Sequence, residues 1–197
     1  MISAEVVGFI AGALGMFFGL PQALRVRRLG HGRGVSLISW LLQFGVATSW
    51  ATYGFDVKSP SVLFTNVGAG IVNATVIWAI IQSRLKSIAI LTIYVAVIAT
   101  LVLTLPSALV SALLIALVFA QSPQVYKSYK NLKGGKDSAV SVLALSVSSF
   151  SIILWFIYAV MIEDTLIIVS TTISFSTNVA IILLEIIGKR SRALNAA

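Results

Sequence analysis

"SIAILTIYVAVIATLVLTLPSALVSALLIALVFAQSPQVY" (residues 87–126) runs for 40 residues without one charged side chain. As a single helix it would be about 60 Å long, at about 1.5 Å per residue. A bilayer's hydrocarbon core is only about 30 Å thick, and about 20 apolar residues cross it. The stretch therefore predicts two spans, turning at "TLPSA" (104–108), because a proline such as Pro106 fits poorly inside a helix.

Five further charge-free windows, 6–24, 34–55, 59–83, 138–162 and 165–184, each fit one crossing. The sequence thus predicts an all-α membrane protein with seven transmembrane helices. Composition agrees, since 58% of the 197 residues are hydrophobic and 10% charged, against roughly 25% charged in a soluble domain. Cysteine is absent, which excludes disulfides, thiolate metal sites and cysteine nucleophiles. The N-terminus has Glu5 in place of the basic region of a cleaved signal, so the first span is expected to be retained.

A net charge of +8 raises the question of nucleic acid, but the cations flank spans and form no groove-shaped patch. Membrane topology accounts for them better. With seven spans, Arg25, Arg27, Arg28, Arg33, Arg84, Lys86, Lys127, Lys130, Lys133, Lys136, Lys189, Arg190 and Arg192 share one side, leaving only Lys58 opposite. Glu5, Asp56, Glu163 and Asp164 lie on that opposite side. The positive-inside rule then puts the N-terminus outside and the C-terminus in the cytoplasm. A single crossing by 87–126 would destroy this bias. Short loops and no transit signal point to a prokaryotic plasma membrane.

The chain also repeats itself. Pro21-Gln22 returns as Pro123-Gln124 at a spacing of 102, each ahead of a run of cations. Farther on, "WATYG" (50–54) aligns with "WFIYA" (155–159), and Asn73 with Asn178, at a spacing of 105. The predicted organisation is a first three-helix repeat over 1–86, a linker helix over 87–106, a second three-helix repeat over 107–190 and a cytoplasmic tail over 191–197. One inserted crossing makes two odd-numbered repeats parallel, and parallel repeats enclose a central path with a site near the midplane.

Polar groups are costly in lipid and tend to face a bundle interior or cavity. Asn66, Gly70 and Asn73 share one helix face by their i, i+4, i+7 spacing. Gln43, Trp50 and Tyr53 lie near one stripe, while the sixth and seventh spans are rich in Ser and Thr, residues that also serve helix packing. Trp50 and Trp155 lie deep for interfacial residues, whereas Tyr53 and Tyr158 are expected in the aromatic belt and Trp40 and Trp78 in packing. Glu185 is expected to snorkel or pair with Lys189. His31 is expected in a solvated loop. No general base, nucleophilic pair or metal cluster is placed in a span, so neither an enzyme nor a cofactor or metal site is expected.

A Pro-Gln at the end of the first helix of each three-helix repeat resembles the PQ-loop family. The three-plus-one-plus-three arrangement is similar to its SWEET sugar-transporter branch, and each half is similar to a SemiSWEET protomer. The resemblance implies a substrate pocket built from a tryptophan on the second helix and an asparagine sixteen residues later. Trp50 and Asn66 match; Trp155 is followed at that spacing by Thr171. The family's second-helix proline is absent from both "VSLISW" and "VSVLAL". The implied function is facilitative uniport of a small neutral polar solute, a mono- or disaccharide, by alternating access. Trp50, Asn66, Trp155 and Thr171 would bind it, with Asn73 and Asn178 further in. Pro21, Gln22, Pro123 and Gln124 would form hinges and gates, each proline removing a helix hydrogen bond. The alternatives are a PQ-loop amino-acid carrier and a non-transporting receptor or accessory membrane protein. Expected partners are the bilayer and the solute, with a second copy of the chain left open and nucleic acid excluded.

Overall fold

The computed structural model describes residues 3–29, 37–119, 122–133 and 140–195, with 17–23, 25–27, 29, 122–123 and 191–195 described by backbone alone. Expectations for His31, Arg33 and Lys136, and for the side chains of Pro21, Gln22 and Pro123, lie outside the described residues. The described residues form eight helices: α1 (Ala4–Leu29), α2 (Leu37–Asp56), α3 (Pro60–Ile81), α4 (Arg84–Thr104), α5 (Ser107–Val118), α6 (Ser122–Lys133), α7 (Val142–Met161) and α8 (Thr165–Asn195). Among them α3, α4, α7 and the segment Thr165–Arg190 of α8 are long and apolar enough to cross a membrane. Their outward faces carry large apolar side chains, as at Phe64, Leu85, Ile93 and Leu143. The protein is an α-helical integral membrane protein.

The long apolar run does turn where its proline stands. Pro106 caps α5 after α4 has ended at Thr104. The second half of that run is divided again, into α5 and the polar α6, whereas the equivalent α1 continues through Pro21 as one helix. Pro123 occupies the second position of α6, where a missing N–H costs no helical bond.

Within lipid, apolar burial does not drive helices together; close packing and hydrogen bonds do. The α1–α3 contact follows that rule. A Cβ on Gly8 would lie 2.3 Å from Ser61 Oγ, and one on Gly12 would lie 2.1 Å from Thr65 Cγ2, so only glycine permits this approach. Helix α3 packs against both α1 and α2, and α8 packs against α7, α5 and α6. Helix α1 also packs on α7, where Ser151 Oγ donates to the Ala11 carbonyl at 2.8 Å. Helix α4 rests on α2 and α3.

Two helix–turn–helix corners, 105 residues apart, share one backbone pattern. Helix α2 ends with Ser59 N–H bonded to the Gly54 carbonyl (2.8 Å) and Lys58 N–H to that of Phe55 (3.3 Å). Helix α7 ends with Asp164 N–H bonded to Ala159 (3.0 Å) and Glu163 N–H to Val160 (3.3 Å). These six-to-one and five-to-two bonds make a Schellman ending. It needs a left-handed residue, which here is Lys58 (φ 56°) and Glu163 (φ 58°) in place of glycine, at a cost of about 1–2 kcal/mol each. The residue after each then caps the next helix: Ser59 Oγ accepts from Val62 N–H (3.2 Å), and Asp164 Oδ1 from Ile167 N–H (3.0 Å).

Candidate functional site

Because each corner is so short, residues equally far from it on its two helices lie at one level. Trp50 and Asn66 are each eight residues from Lys58, and Trp155 and Thr171 each eight from Glu163. That places all four about 12 Å along their helices from the corners. They converge from both halves on one cavity of about 210 Å³, completed mainly by Val62, Ile152, Ile167, Ser170 and Ser174. Among the described residues, no charged side chain lines it.

Each indole is held by the tyrosine three residues on. The Trp50–Tyr53 rings meet edge to face at 5.7 Å and 87°, and Trp155–Tyr158 at 5.4 Å and 90°. Asn66 Nδ2 donates to the Val62 carbonyl at 2.9 Å, leaving Oδ1 and one N–H without a partner among the described residues. Thr171 Oγ1 spends its proton on the Ile167 carbonyl at 2.7 Å, so it offers only acceptance. Ser170 Oγ is buried with no hydrogen-bond partner among the described residues. The cavity combines two indoles with an amide and hydroxyls that can both give and accept hydrogen bonds.

The tyrosines also tie the halves together. Tyr53 donates to Asp164 Oδ2 at 2.7 Å, across from α2 to the cap of α8. In the reciprocal position, Tyr158 pairs with Ser59, the cap of α3, and donates to Glu5 Oε1 at 3.1 Å. Glu5 in turn accepts from Ser61 N–H at 2.7 Å. The belt position expected for Tyr158 is therefore corrected. Tyr158 is fully buried, because its hydroxyl has fixed partners inside the bundle and gains nothing from the interface.

Asn73 and Gln43 lie one level further from the corners and line a second cavity of about 460 Å³, which Asn66 also lines. Trp40, expected as plain packing, lines it too. Asn178 borders neither cavity. It is buried, and its Nδ2 donates to Ser148 Oγ at 3.2 Å and lies 3.4 Å from Ser149 Oγ. Glu185 neither snorkels nor stands in water. It is 3% exposed and accepts from Ser128 Oγ at 2.7 Å, which itself accepts from Gln124 Nε2 at 3.3 Å. A hydroxyl on α6 faces α8 at that level, so the carboxylate turns inward. No group of three or more His, Asp or Glu that could hold a metal ion comes together among the described residues.

No family model matches the chain, and no curated protein matches it. The sequence missed Ser59 and Asp164, though their spacing of 105 and their capping types were a usable signal.

Proposed function

We propose that the protein is a facilitative transporter for a small neutral polar solute, a mono- or disaccharide, built as two parallel PQ-loop-like three-helix repeats joined by α4. The observation that carries this reading is the convergence of Trp50 and Asn66 from one half with Trp155 and Thr171 from the other on one uncharged cavity. Support for the repeat comes from the paired corners and from α3 and α8 each packing against both other members of its own group. The 13-to-1 split of cations puts the corners on the outer side.

The chemistry selects the solute class. An indole face suits the C–H face of a sugar ring, and the Asn66 amide gives hydroxyls both a donor and an acceptor. A cavity of about 210 Å³ is below the roughly 300–1,000 Å³ of sites for drug-sized ligands, so it suits a single ring. Hydrogen bonds in membranes contribute about 0.6 kcal/mol on average and at most about 1.7. Binding in the millimolar range, about −4 kcal/mol, follows, and weak binding favours release. The Tyr53–Asp164 and Tyr158–Ser59 pairs close the outer end above the tryptophans, and alternating access requires them to part.

Uptake of radiolabelled sugars into proteoliposomes tests the reading. Wild type should equilibrate at least one sugar faster than empty liposomes, and Asn66→Ala should abolish the difference. Equal leak from wild type and variant across a broad panel refutes it. The buried Glu185 carboxylate favours, as a second reading, a proton-coupled amino-acid carrier. Amino-acid uptake that follows an imposed pH gradient and is lost in Glu185→Gln would decide for it.

A further inference from the structure

The chamber shared between the three helices of the first half is a separate feature from the central cavity. It has about 460 Å³, more than twice the central volume, and the two share Asn66 as a lining residue. Gln43 and Asn73 are each fifteen residues from Lys58. They therefore face one another about 10 Å further along α2 and α3 than Trp50 and Asn66. Neither side-chain amide has a hydrogen-bond partner among the described residues, and with Gln43 exposed and Asn73 half-buried both are accessible from the chamber they line. Trp40 lies one turn from Gln43 on the same wall.

The second half shows what these positions do when they serve packing. There the equivalents, 105 residues on, are Ser148 and Asn178. The short serine lets the asparagine bond it directly at 3.2 Å, and Asn178 is 1% exposed. In the first half the longer glutamine and the asparagine flank an open space instead. One indole and three amides, counting Asn66, repeat the chemistry of the central cavity at a second level.

We propose that this chamber is a second solute subsite, which takes the second ring of a two-ring, hydroxyl-rich solute whose first ring sits between Trp50 and Trp155. The inference rests on the central-cavity reading given above. Asn66 is the shared contact, bonding hydroxyls on both sides of the linkage. The chain is accordingly selective for two-ring over one-ring solutes, and the asymmetry between its halves fixes which end of the solute points inward.

Glucose and maltose titrations of the full-length protein in detergent, read by intrinsic fluorescence and by thermal shift, test this. Wild type should bind maltose more tightly than glucose. Asn73→Leu and Gln43→Leu, each keeping side-chain bulk, should lower the maltose-to-glucose affinity ratio at least tenfold, whereas Trp155→Ala should weaken both sugars together. Two independent variants guard against one failing to fold, and a single symmetric gel-filtration peak checks each. A ratio unchanged within twofold in both variants, with Trp155→Ala still weakening both sugars, overturns the second subsite and leaves the central site standing. No binding of either sugar to wild type overturns the central reading and this one with it.

Discussion

Removing the Tyr53 hydroxyl should open the central cavity toward the corner end. Tyr53→Phe deletes a 2.7 Å bond to the Asp164 carboxylate without changing the ring that packs on Trp50. Hydrogen bonds to charged groups contribute about 1.5–3 kcal/mol in soluble proteins, but those measured within membranes average about 0.6 and reach about 1.7. Tyr53 is half-buried and its partner carries charge, so the upper part of the membrane range applies, about 1.4 kcal/mol. That is a tenfold rise in the population of the open state. The chain has no cysteine, so a single Ser170→Cys change gives a clean reporter on the cavity wall. Its modification by a membrane-impermeant thiol reagent added outside intact cells should be slow. When opening precedes modification, the rate follows the open population, and Tyr53→Phe should raise it about tenfold. Tyr158→Phe, which removes the reciprocal contact, should do the same, and the double variant should approach a hundredfold if the two pairs act independently. Rates within twofold of the parent in both single variants would refute the role of these pairs as a closure.

Gly12→Ala should cost about 1–3 kcal/mol by overpacking Thr65, and its melting temperature in detergent should fall by about 2–4 °C per kcal/mol. Asn178→Leu should lower thermal stability while leaving sugar affinity within twofold, since its amide is spent on Ser148 and Ser149; equal stability in the variant would contradict its packing role. Ser128→Ala removes the hydroxyl that reaches the buried Glu185 carboxylate at 2.7 Å. A loss of about 1–2 kcal/mol should appear as earlier thermal unfolding, and restoration by Ser128→Thr should confirm that the hydroxyl is responsible.

Much of the architecture was legible because its causes are local. Forty uncharged residues cannot cross a bilayer once, and Pro106 interrupts a helix wherever it stands, so the turn between α4 and α5 follows from the chain alone. Cation placement is likewise a property of sequence order. The resemblance to the PQ-loop family singled out Trp50, Asn66, Trp155 and Thr171 before any packing was known, and the structure places all four on one cavity. Asn73 and Asn178 show where that reasoning stops. They are equivalent in sequence, yet one faces an open chamber and the other is sealed against Ser148 and Ser149. The difference depends on whether a glutamine or a serine stands on the neighbouring helix, which periodicity along one helix cannot report. Tyr158 and Glu185 were misplaced for the same reason. The hydroxyl of the one and the carboxylate of the other are satisfied by partners more than fifty residues away, and only the approach of α7 to the cap of α3 and of α6 to α8 supplies those partners.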